Sequence, residues 1–186
     1  MKRLLLAALL VPGAASANII TIDYWATVAH DFGGGGTEGN SIQGRFEINT
    51  ALAPHGDFQP GQALYQNRGD SPLFIDRSGF ITDPNIRTCG CSLDSLLISD
   101  AAGPTETDVL LLVNYERLGG NSFIRQELEF QSNDLFNGTS LDQNLSFDQA
   151  PTTFGRLIVE GVSGSFLALL DRVRAVTHDA PGSCHK

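Results

Sequence analysis

The chain has 186 residues, 21 acidic side chains against 12 Lys and Arg, and a formal charge of −9 at pH 7. An acidic surface of this kind repels nucleic acid and anionic lipid headgroups, and it is compatible with weak divalent-cation binding and with neutral partners such as glycans. The length suits one domain with a full core, and no apolar run reaches the ~20 residues a membrane helix needs.

The first residues read as a targeting segment. Lys2-Arg3 supply positive charge, residues 4–11 form a short apolar core, Pro12-Gly13 break it, and Ala15-Ser16-Ala17 match the small-x-small cleavage rule. No Cys follows the apolar run, so a lipid anchor is not expected. The expected organisation is a signal peptide over 1–17, a β domain over 18–180 and a short tail over 181–186. Loss of Lys2 and Arg3 takes the formal charge from −9 to −11. The expected destination is secreted or extracytoplasmic.

The mature chain reads as strands between turn clusters. Residues 19–28 are β-branched and aromatic. A loop follows, with four consecutive glycines at 33–36. Residues 41–50 place Ile42, Phe46 and Ile48 on one face. Residues 63–65 read as a short edge strand, and residues 72–82 as a strand interrupted at Ser78-Gly79. Residues 93–99 and 109–116 are strands. In 122–131 the apolar residues Leu128 and Phe130 alternate with Glu127, Glu129 and Gln131, the period of a half-buried strand. With Leu118-Gly119-Gly120-Asn121 as the turn, 107–131 forms a β-hairpin, expected at the centre of the domain. Residues 133–151 are polar with scattered Leu and Phe, as in a long packed loop. Residues 166–174 contain good helix formers, but the glycines and serines before them and the alternation of Leu167, Leu169, Asp171 and Val173 favour a strand. About eight short strands with Gly, Pro and Asn turns predict an all-β, antiparallel sandwich of jelly-roll type. Its core is expected to hold Phe46, Ile48, Val109, Leu111, Val113, Leu128 and Phe130.

No catalytic signature stands out. His30-Asp31, His55-Gly56-Asp57 and His178-Asp179 are adjacent in sequence, which does not assemble a triad, since strand neighbours point to opposite faces. Gly161-Val162-Ser163-Gly164 is one residue short of a nucleophile elbow and lacks its strand-to-helix context. Glu127 and Glu129 share a face, as do Asn114 and Glu116, and alternating acids of this kind mark a solvated face rather than a glycosidase pair. Asp70, Asp76, Asp83 and Asn85 populate turns without a calcium-loop pattern. Asn137 and Asn144 head glycosylation-acceptor triplets. Tyr24, Trp25 and Tyr65 are candidates for an aromatic platform that stacks on sugar, against the alternative that each packs in the core. No catalytic residue, metal ligand or cofactor is assigned.

The cysteines are the sharpest chemical feature. Export places Cys89, Cys91 and Cys184 in an oxidising compartment. In an extended Cys-Gly-Cys the α-carbons stand ~6.5–7 Å apart, at the limit for a direct bond. Pairing of Cys184 with Cys89 or Cys91 is therefore expected, closing a loop of roughly a hundred residues and holding the tail to the domain. A zinc site of Cys89, Cys91, Cys184 and His185 has the right ligand types but competes with oxidation.

The order of features resembles the small exported β domains of the bacterial PEP-CTERM proteins. The residues that carry this are Gly44-Arg45-Phe46-Glu47-Ile48-Asn49-Thr50 with Pro54 and Asp57, the polar stretch 128–151, and the closing strands Gly155-Arg156-Leu157-Ile158-Val159 and Gly164-Ser165-Phe166-Leu167. The family's tail of Pro-Glu-Pro, membrane helix and basic residues is not matched by residues 181–186, so sorting by that route is not implied. The resemblance implies an extracytoplasmic domain with a structural or adhesive role, linked to exopolysaccharide or biofilm matrix, and no catalytic residues. A carbohydrate-binding module is the second expectation and a hydrolase the third.

Overall fold

The computed structural model describes residues 18–33, 37–55, 59–67, 72–76, 88–101, 107–118, 123–141, 143–161 and 164–179. They form ten strands: β1 (Asn18–Phe32), β2 (Ser41–Asn49), β3 (Gln62–Gln66), β4 (Phe74–Asp76), β5 (Thr88–Ser99), β6 (Thr107–Leu118), β7 (Phe123–Asn133), β8 (Ser146–Gln149), β9 (Phe154–Gly161) and β10 (Gly164–Asp179). The expected signal peptide lies outside the described residues, as does the tail.

The all-β, antiparallel class is as expected. The strands belong to one continuous sheet in the order β3-β5-β6-β7-β9-β10-β1-β2-β4, with β8 beside β10. The sheet curls into a half-barrel rather than dividing clearly into two sandwich layers, and its concave face collects one core. Residues 164–179 are a strand throughout, which settles the helix alternative. The N-terminal half of β10 pairs with β9 and its C-terminal half with β8. The hairpin expected over 107–131 is present as β6–β7, paired from Thr107↔Asn133 to Arg117↔Phe123. It is not the centre of the sheet. β9 has the middle place in the strand order, and the longest pairing is that of the first and last strands, β1 against β10 from Asn18↔Asp179 to Phe32↔Ser165.

Residues 134–141 and 143–145 fill the concave side as an irregular plug. Leu135, Phe136, Leu141 and Leu145 are buried in the core. The Asp108 carboxylate accepts the backbone N–H groups of Leu135 and Phe136 through one oxygen, and that of Ala101 through the other. The Tyr65 hydroxyl donates to the Thr139 carbonyl at 2.8 Å. On the far side, Leu145 N–H bonds the Thr177 hydroxyl and Thr177 N–H bonds the Leu145 carbonyl. The plug thus ties β3 and β6 to β10 across the mouth of the curled sheet. The sequence reading of a packed loop over 133–151 holds, with the short strand β8 inside it.

Phe46, Ile48, Leu128 and Phe130 are buried as expected. β6 is the correction. Its run Val109-Leu110-Leu111-Leu112-Val113 has no alternation, and the face that turns inward is Asp108, Leu110, Leu112 and Asn114. Val109, Leu111 and Val113 are only half-buried, on the convex side. The reason is polar. Asp108 has its three backbone donors inside, and Asn114 donates to the buried Asp94 carboxylate at 2.6 Å. A one-residue shift would orphan both, and buried unpaired polar groups cost more than a half-exposed leucine. Asn114 therefore lies in the interior, not on the solvated face its neighbours implied.

Leu112→Ala should destabilise the protein by about 2–5 kcal/mol, because the site is fully enclosed. Leu111→Ala should cost markedly less. Urea unfolding of the two variants checks this, and equal losses would put β6 in the other register.

Candidate functional site

Tyr24 and Trp25 are neighbours on β1, so one must face inward and the other outward. Gly44 decides which. It lies directly opposite Tyr24, and a Cβ there would meet the tyrosine ring at 2.6 Å. The bare glycine gives Tyr24 its place over the strand, where it stacks on Phe46 at 5.6 Å between ring centroids. Tyr24 and Tyr65 are both 1% exposed and belong to the core. Burial raises the Tyr24 phenol's pKa. Trp25 is the member of the aromatic trio that reaches the convex face, half-buried.

Around Trp25, four strands bring charged groups together. Asp23 stands two residues before it, so it shares its face. Arg45 of β2 lies opposite Asp23 on one side and Arg174 of β10 on the other. Arg45 Nε donates to Asp23 Oδ1 at 2.7 Å, and Arg174 donates to Oδ2 through Nη2 at 2.6 Å and Nε at 3.2 Å. Burial of Asp23 works against its charge, but the hydrogen bonds and charges of the two guanidinium groups outweigh this and hold its pKa below the ordinary value. Arg172, opposite Trp25, lays its guanidinium over the indole at 4.9 Å from the ring centroid. It is fixed there by a two-pronged bond to Asp148 of β8. Asp23, Trp25, Gln43, Arg45 and Arg174 line an open cavity of about 400 Å³. Its walls offer an aromatic ring and several N–H donors whose orientation is set by ion pairs. That combination suits hydroxyl-bearing, partly apolar ligands.

The other candidates from the sequence are not brought together. His30 of β1 and His178 of β10 sit at opposite ends of the β1–β10 pair, opposite Leu167 and Ile19 respectively. His30, His55 and His178 are exposed, and His30 stands 3.8 Å from Glu38. Glu127 and Glu129 are on the convex face as read, but Glu127 is only 7% exposed. It is clamped by Arg125 and Arg156, and Arg156 also reaches Glu129 at 2.8 Å. These acids hold β7 against β9. Asp76 lies at the end of β4, while Asp70, Asp83, Asn85 and Ser163 lie outside the described residues. Asn137 and Asn144 are exposed. The side chains of Cys89 and Cys91, and Cys184 and His185 altogether, lie outside the described residues, and with them the disulfide and zinc readings. Among the described residues no cluster of His, Cys, Asp or Glu could hold a metal ion.

Sequence reasoning missed Asp23, Gln43, Arg45, Arg172 and Arg174. A partial sign was present: Asp23 and Trp25 are two apart, as are Arg172 and Arg174, so each pair shares a strand face. That these two pairs face one another is a long-range fact of the β1–β10 register. Comparison with known proteins finds no matching family model, curated protein or solved structure.

Asp23→Asn should cost about 1–3 kcal/mol at pH 7, because two arginines lose their shared charged acceptor. A lowered native pKa stabilises the fold above the unfolded value and ceases to do so as pH falls towards the native one. The gap between wild type and variant in urea unfolding should therefore shrink below about pH 3.8, the ordinary carboxylate value. A gap that persists unchanged to lower pH would show that Asp23 contributes by packing rather than charge.

Proposed function

We propose that this chain is an exported, non-enzymatic β domain that acts outside the membrane by adhesion, and that it adheres to a glycan of the extracellular matrix. The observation that carries the reading is the Trp25 cavity. A tryptophan on the convex face, held by Arg172, stands beside Gln43 and an arginine pair organised on Asp23. Aromatic faces pack on the apolar faces of sugar rings, and amide and guanidinium donors bond their hydroxyls. Nearly all of this machinery sits on long, mutually paired strands, which keeps it rigid without a ligand. The fold and compartment implied by the sequence resemblance agree with a matrix role. The carbohydrate-binding expectation becomes, in this reading, the means by which the adhesive role is carried out.

The mature protein should bind a subset of glycans on an array and adhere to polysaccharide extracted from biofilm matrix. Trp25→Ala should reduce that binding by about tenfold, the value of one lost aromatic contact. Absence of binding to any glycan, or wild-type binding by the Trp25 variant, would overturn the proposal.

A further inference from the structure

The convex face carries a second cavity, about 270 Å³ in volume, over β9 and β10, lined by Phe154 and Ile158 of β9, Leu167 and Leu169 of β10 and Phe32 at the end of β1, with Arg156 and Glu160 at its side. It exposes large apolar groups: Phe32 is 68% exposed, Leu169 49% and Phe154 38%. Its construction repeats that of the Trp25 site. The Arg156 guanidinium lies over the Phe154 ring at 5.2 Å, as Arg172 lies over Trp25. Each arginine is fixed in turn by carboxylates, Arg156 by Glu127 and Glu129 and Arg172 by Asp148.

The two cavities share one face. Trp25, Thr27, His30 and Phe32 pair across with Arg172, Leu169, Leu167 and Ser165, and the register irregularity between Val28 and His30 brings Phe32 onto the outer side. From Trp25 to Phe32 the strand runs seven positions, or about 23 Å, several times the width of one sugar ring. Between the aromatic ends lie hydrogen-bonding groups: the Thr27 hydroxyl, the Asp171 carboxylate that accepts from it, and the exposed His30.

We infer that these two cavities are the end subsites of one track, and that a linear, neutral oligosaccharide lies along β1–β10 from Trp25 to Phe32 and Phe154. The inference rests on the glycan reading above and adds the length and charge of the ligand. Aromatic and apolar subsites at both ends with polar groups between match the alternation of apolar ring faces and hydroxyl edges along a glycan chain. Charge argues for a neutral one: the arginines along the track are already paired with Asp23, Asp148, Glu127 and Glu129, Asp171 adds an acid beside Thr27, and the chain as a whole carries −9, so a polyanionic glycan is repelled.

The test is titration calorimetry of the mature protein with linear neutral oligosaccharides, from disaccharide to hexasaccharide, of glucan, mannan, xylan and galactan type. An oligouronate series serves as the acidic control. In at least one neutral series affinity should rise with chain length until the track is filled. Phe154→Ser should remove about tenfold from the longest ligand and a smaller factor from the disaccharide, which spans only one subsite. Trp25→Ala should weaken every length. Length-independent binding that ignores Phe154 would overturn the track while leaving the Trp25 site standing. Binding to no saccharide would overturn both. Preference for the oligouronates would overturn the neutral assignment. A concentration-dependent dimer in sedimentation that Phe154→Ser abolishes would assign the apolar cavity to a second copy of the chain instead.

Discussion

The pairing of β1 with β10 is the constraint on which the rest of this structure depends. It joins the two ends of the domain along nearly the full length of both strands. Because β1 also holds β2, and β10 also holds β8 and β9, this one pair links both arms of the curled sheet. Such a contact is non-local and pays its loop-closure entropy late in folding. Once formed, it sets the face that every neighbouring strand must present. The plug returns to the same pair: Leu145 bonds Thr177 at the end of β10, and Asp108 holds the plug's other end under β6. At the hairpin between β9 and β10, Gly164 has a φ of +136°, and a Cβ there would meet the Gly33 backbone at 2.4 Å. The end of β1 closes against the start of β10 there, so a side chain would push the two strands apart.

Strand existence was legible where polar and apolar residues alternate. In β2 and β7 the period alone places Phe46, Ile48, Leu128 and Phe130 correctly, because each solvated neighbour is charged or polar. In β6 the period carries no information, since five apolar residues run together. There the buried face was chosen by Asp108 and Asn114, residues that composition assigns to solvent and that tertiary partners draw inside. The same logic separates Tyr24 from Trp25. Both are large aromatics with a polar handle, and only the glycine opposite, Gly44 on another strand, decides which is core and which is surface. β10 was ambiguous for a different reason: its Leu and Ala content favours helix, and pairing with three strands overrode that propensity.

In the proposed reading, the convex face keeps a binding surface on an acidic protein without a net positive field. Its arginines are neutralised pairwise, Arg45 and Arg174 on Asp23, Arg172 on Asp148, Arg156 on Glu127 and Glu129. The exposed Arg172–Asp148 pair adds little stability by itself, whereas Asp23 and Glu127 are buried acids whose arginine partners offset the cost of burial. The shared effect of these pairs is geometric: each fixes a planar guanidinium, and two of these planes lie over aromatic rings that would otherwise rotate. Oriented donors beside oriented rings lose less entropy on binding a ligand than free side chains would. The outer ion-pair lattice holds β7 to β9 and β1 to β2 and β10, and in the proposed reading it also orients the groups that meet the ligand.

Native-state hydrogen exchange measures the primacy of the terminal pair directly. If β1–β10 pairing organises the domain, the paired amides in the middle of β1 and β10 exchange only through global unfolding and are the slowest in the protein. The β6–β7 hairpin should exchange faster, by sub-global opening. Amides of β6 and β7 that outlast those of β1 and β10 would contradict the account and return the organising role to the local hairpin.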